Sequence, residues 1–83
     1  MHTLDVTGTL CPVPLLLTAR AMASLAPGEQ LEVVGDDLEI LTDMPAWCEK
    51  TGHRLIALHH EGSSVRCLLE KAHEAPDGRV VER

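Results

Sequence analysis

Two prolines, Pro12 and Pro14, stand near the head of the apolar stretch Leu10 to Ala23, and their positions decide where a helix can begin. A residue before proline is pushed out of the α region, and proline itself is favoured at the first helical position. Cys11 therefore reads as the N-cap, Pro12 as N1 and Pro14 as N3. Proline at N3 does no harm, because the first four amides of a helix have no intrahelical acceptor. Leu10 before the cap and Leu15 at N4 have the spacing of a hydrophobic staple, which would fix the angle of chain entry. The prolines thus predict a helix whose start presents a thiol, with Pro12, Val13 and Pro14 shaping the approach to Cys11.

The rest of the chain alternates between strand and helix patterns. Leu4 and Val6 mark a strand over His2 to Val6, followed by the loop Thr7-Gly8-Thr9. The first helix runs from Pro12 to about Leu25, with a stripe of Leu15, Ala19, Met22 and Ala26 widened by Leu16 and Ala23, and Ala26-Pro27-Gly28 stops it. Leu31, Val33 and Val34 form a second strand. A second helix starts near Leu38, with Ile40, Leu41, Met44, Trp47 and Cys48 on one face and Asp36 or Asp37 available as caps. Pro45 predicts either a kink or a restart capped by Asp43, and Gly52 ends the helix. The segments His53 to His60 and Ser64 to Lys71 flank Glu61-Gly62-Ser63 as a hairpin in which Leu55 and Ala57 share a face opposite Ile56 and Leu58. The order is β-α-β-α-β-β. Two helices with one apolar face each imply an α/β (α+β) two-layer sandwich, a mixed four-stranded sheet carrying both helices on one side. Residues 1–71 constitute the domain; 72–83 read as a polar extension in which Val80 and Val81 could dock on a sheet edge.

Charge narrows the partners. The formal net charge is −6, and seven acidic residues lie between Glu29 and Glu49 with no Lys or Arg among them. Such a chain repels nucleic acid and anionic membrane, but it can steer a basic protein surface towards itself. The plainer reading of the segment is a solvated face that keeps the protein soluble. The segment before Leu10 carries Asp5 and no base, and two prolines interrupt the apolar run, so it is not a secretory signal. A cytoplasmic protein is expected. Three widely spaced cysteines, Cys11, Cys48 and Cys67, then read as free thiols.

A thiol at a helix N-terminus meets an effective positive charge and free amide donors, which predicts a lowered pKa. No second cysteine stands at Cys-x-x-Cys spacing to resolve a disulfide, and no local pattern supplies a His and an Asn or Asp to activate a protease nucleophile. A thiol so presented suits carrying a group, and sulfur is the natural cargo, because a persulfide forms and leaves by thiol exchange. Cys48 lies on the apolar stripe of helix two and Cys67 alternates with Val65 and Leu69, so both read as buried hydrophobes. A metal site joining these cysteines to His53, His59 or His60 has no recognised spacing, and adjacent His59 and His60 point to opposite faces of a strand. Neither metal nor cofactor is expected.

Leu4-Asp5, Gly8, Leu10, Cys11-Pro12-Val13-Pro14-Leu15, Pro27-Gly28-Glu29, Asp36-Asp37, Asp43-Met44-Pro45 and Gly52-His53 follow one another in an order that resembles the TusA/SirA family of sulfur carrier proteins, over about residues 3 to 71. The resemblance implies that Cys11 accepts sulfane sulfur as a persulfide from a cysteine desulfurase or rhodanese-like donor. It then relays the sulfur to an acceptor protein in tRNA thiolation, molybdenum-cofactor or sulfur-oxidation pathways, as a sulfurtransferase-type carrier rather than a stand-alone catalyst. It also implies partner contacts at Arg20 and Asp43; read from the sequence alone, Arg20 equally solvates helix one and Asp43 caps a helix. Val13, Leu17 and Leu38 depart from the family pattern and bear on which partners are used. The competing expectation is a non-catalytic regulatory or interaction module that binds through its acidic face, with Cys11 incidental.

Overall fold

The computed structural model describes residues 2–72, so the extension from residue 73 onward, with Val80 and Val81, lies outside the described residues. Strand β1 (His2–Asp5), helix α1 (Val13–Ala23), β2 (Gln30–Gly35), helix α2 (Ile40–Thr51), β3 (Arg54–Glu61) and β4 (Ser64–Glu70) follow in the expected order. The sheet order is β1-β2-β4-β3, with β1 parallel to β2 and the other neighbours antiparallel. This is a mixed sheet with its core on one face. Leu31, Val33 and Gly35 of β2 and Val65, Cys67 and Leu69 of β4 alternate inward, beneath Met22 of α1 and Ile40, Met44 and Cys48 of α2.

The face that α1 buries differs from the expected stripe. Pro14, Thr18 and Met22 are its buried residues, while Leu16, Ala19 and Ala23 are exposed and Leu15 is half-buried. Thr18 is tolerated inside because its hydroxyl donates to the Pro14 carbonyl at 2.7 Å, which leaves no unpaired polar group. Leu10 is exposed, so the expected staple with Leu15 is not formed. In α2 the buried set Ile40, Met44 and Cys48 matches the expected face. Pro45 neither ends nor restarts that helix: Ile40–Thr51 is one element, and Asp43 sits in its first turn instead of capping a second piece. Gly52 closes it at φ +87°, in the left-handed region glycine reaches without a Cβ clash.

Strand β3 also departs from simple alternation. Leu55 pairs with Leu69 but Ala57 pairs with Leu68, so Ile56 is an extra residue in a bulge and is left exposed. Leu55 and Leu58, not Leu55 and Ala57, then pack against the core. His53 stacks on Trp47, with ring centroids 5.3 Å apart, and its Nδ1 accepts the Ala72 amide at 3.0 Å, which ties down the end of β4.

Gly35 ends β2 immediately before Asp36. A Cβ there would come within 2.7 Å of Ile40 Cδ1 and 3.0 Å of Val6 Cγ2, both on buried side chains. Gly35→Ala is therefore expected to destabilise the fold by roughly 1–3 kcal/mol in urea unfolding, through overpacking where β2 meets α2. An unchanged midpoint would show that Ile40 repacks freely.

Candidate functional site

The loop from β1 to α1 is built by short-range hydrogen bonds. Asp5 Oδ1 accepts both the Thr7 amide (3.0 Å) and the Thr7 hydroxyl (2.7 Å), and the Thr9 hydroxyl donates back to the Val6 carbonyl. Gly8 takes φ +84° and donates its amide to Asp36 Oδ1 at 3.1 Å. The chain then turns over Leu10 to Val13, with the Val13 amide on the Leu10 carbonyl at 2.9 Å and the Cys11–Pro12 peptide in the cis form.

Helix α1 begins one residue later than the prolines suggested. Pro12 is its N-cap, Val13 is N1 and Pro14 is N2, so Cys11 precedes the cap and its side chain makes no capping bond. The Cys11 amide does not face solvent either. It donates to Asp37 Oδ2 at 2.7 Å, while Asp37 Oδ1 accepts the Glu39 amide at 3.0 Å. One carboxylate thereby joins the cysteine loop to the turn leading into α2, and these amide donors hold it below the usual carboxylate range.

The electrostatics at the thiol are opposite to those expected from a helix N-terminus. Burial first, and then the carboxylates of Asp43 and Asp37, push the Cys11 thiol up to about 12. Negative charge beside a thiol disfavours thiolate. Cys11 lies before the N-cap and its own amide is engaged by Asp37, so the sulfur is not set among the free amides of the first turn as the prolines suggested. The resting sulfur is a protonated thiol, and the expected lowered pKa is not what the site produces.

Cys11 is half-buried, whereas Cys48 and Cys67 are 3% and 0% exposed and burial raises both thiols to about 11. Only Cys11 is accessible to a reagent. Pro12 and Val13 are exposed beside it, while Pro14 turns into the core. Asp43, singled out from the family resemblance, comes to the thiol. Arg20 does not: it is exposed in the last turn of α1, about 10 Å further along the helix axis than Val13. The residues missed by reading the sequence are Asp37 and Glu39. By residue type Asp37 is a turn and cap former, and the adjacent Asp36-Asp37 pair is the available signal. Donor atoms of Cys11, Asp37 and Glu39 lie within 4.8 Å of one another, close enough to share an ion, although Asp37 already gives both oxygens to amides. His53, His59 and His60 lie on or beside β3 and do not join this group.

Comparison with known proteins agrees with this architecture. The family model of the sulfurtransferase TusA matches residues 2–71, and the chain belongs to that family. It is 39% identical over 71 residues to a protein of Methanocaldococcus jannaschii provisionally named a sulfur carrier protein, covering 86% of this chain and 95% of that one. The crystal structure of a SirA-like protein from Desulfitobacterium hafniense superposes with a TM-score of 0.74 at 22% identity, over 88% of this chain and all of that one, and so shares its fold. Among the described residues no helix is long and apolar enough to cross a membrane.

Alkylation of Cys11 by iodoacetamide, followed by peptide mapping, is expected to go on accelerating above pH ~10, since the protonated form persists there. Removing a facing carboxylate with Asp43→Asn lowers that midpoint by about one pH unit or more. A wild-type midpoint near the ordinary thiol value of ~8.5 would contradict the electrostatic assignment.

Proposed function

We propose that this chain is a sulfur carrier in which Cys11 holds sulfane sulfur as a persulfide and passes it between proteins. The observation that supports the reading is that Cys11 alone of the three thiols is accessible, and it lies within the stretch matched by a sulfurtransferase family. The donor is a cysteine desulfurase or rhodanese-type protein and the receiver is a sulfur-accepting protein in a biosynthetic or oxidative sulfur pathway. Residues 1–71 supply the carrier unit and 72–83 an appended segment. A reducing compartment, the cytoplasm, suits a protein whose three cysteines are all free.

The exchange balances without an added oxidant. The Cys11 sulfur attacks the outer sulfur of a donor persulfide, a new S–S bond forms at Cys11, the donor S–S bond breaks, and the donor sulfur leaves with the electron pair; the Cys11 proton passes to base or solvent. Delivery repeats the step with the acceptor as nucleophile. Pro12 and Val13 flank the sulfur, buried Pro14 anchors the start of α1, and Asp37 holds the loop in place.

Incubation with a cysteine desulfurase and cysteine is expected to add one sulfur, about 32 Da, which a reductant removes and which maps to Cys11. Cys11→Ser abolishes the gain while leaving the fold intact. A protein that takes up no sulfur, or whose Cys11→Ser variant retains full biological function, is the interaction module instead.

A further inference from the structure

Four large apolar side chains stay exposed along the segments that hold Cys11. Leu10 is adjacent to it and 72% exposed, Val13 begins α1, Leu16 lies one turn on at 64%, and Leu38 follows Asp37. A chain of this size has few such residues to leave in water, and their clustering around one thiol marks a contact surface. Beside Leu16, Leu15 forms one wall of a groove of about 210 Å³ completed by Asp43, Ala46, Trp47 and Lys50.

The acidic segment divides in a way that tells what covers this surface. Glu29 is paired with His2 and Glu32 with Arg66, both away from the thiol, and Glu70 is paired with Arg54. Asp36, Asp37, Glu39 and Asp43, the four acids around the Cys11 loop, take part in no ion pair among the described residues. Asp36 and Asp37 accept backbone amides, the Asp43 carboxylate is turned to the Cys11 thiol, and Glu39 is exposed. Part of this charge stabilises the start of α2. The four acids outnumber the one cation lining the groove, Lys50, which takes part in no ion pair among the described residues, so a basic-rimmed apolar surface complements this face and an acidic one is repelled by it.

We infer that the Leu10–Val13–Leu16–Leu38 patch with the Glu39 and Asp43 carboxylates docks a partner protein surface consisting of an apolar centre flanked by Arg or Lys, which brings cationic side chains beside Cys11 during sulfur exchange. This rests on the carrier reading only in taking Cys11 as the point where sulfur crosses. A partner cation beside the sulfur offsets the part of the opposition to ionisation that comes from the two carboxylates, so docking of a basic surface favours reaction over docking of an acidic one.

The test uses the intact chain and three short peptides, each carrying a central cysteine as a mixed disulfide with thionitrobenzoate. The flanking residues are Arg and Leu, Glu and Leu, or Arg and Ser. Cys11 attacks the peptide sulfur, the new S–S bond forms, and thionitrobenzoate leaves with the electron pair and is read by its colour. With rates normalised to free cysteine, the Arg–Leu peptide is expected to react about tenfold or more faster than the Glu–Leu peptide at low salt, and the ratio should fall as salt is raised. Glu39→Gln with Asp43→Asn reduces that ratio several-fold, and Leu16→Ser removes the advantage of Arg–Leu over Arg–Ser; both alterations lie at exposed or half-buried positions, and circular dichroism checks the fold. Cys11→Ser abolishes the reaction. Ratios equal to those of free cysteine, or unmoved by the substitutions, overturn the inference. Because no sulfane is involved, that failure leaves persulfide formation standing, and a failed persulfide test leaves the charge selectivity standing.

Discussion

Asp37 receives two backbone amides from different parts of the chain, that of Cys11 across the loop and that of Glu39 two residues on. A carboxylate that accepts two such bonds is held strongly in its ionised form and in one orientation. Besides it, the Leu10–Val13 turn is positioned by its internal bonds, by the Gly8 contact to Asp36 and by the packing of Cys11 and buried Pro14. The site is thus a junction between two βα loops on the same end of adjacent parallel strands β1 and β2, and its geometry follows from their side-by-side pairing.

That junction has an electrostatic consequence. Burial of the sulfur, and after it the carboxylates that hold and face the cysteine loop, keep it protonated. Position and reactivity are therefore set against each other within the isolated chain. The exposed leucines belong to the same logic, since an isolated domain gains nothing in stability from leaving them in water.

Much of the fold was legible from pattern alone, and the misreadings share one cause. The buried face of α1 was misplaced because Thr18 counts as polar in a hydrophobicity pattern, yet its hydroxyl is satisfied within the helix by Pro14 and so it can be buried. Strand β3 was read with strict alternation because a bulge at Ile56 leaves no mark in a run of apolar residues. Pro45 suggests a kink or a restart, and the restart does not occur: Ile40, Met44 and Cys48 pack on the sheet along one continuous helix. In each case a tertiary or side-chain compensation overrode a sound local rule.

The order of elements, the apolar face of α2, the glycine that ends it, the buried character of Cys48 and Cys67 and the singular position of Cys11 follow from residue types and spacing, because they depend on local backbone preference and on periodicity. The protonation of that sulfur does not. It depends first on burial and then on Asp37 and Asp43, which lie 26 and 32 positions further along the chain and reach Cys11 only because β1 pairs with β2 and α2 lies beside α1. Charge interactions act through space, so their sign at a given atom is decided by which distant residues the fold brings there.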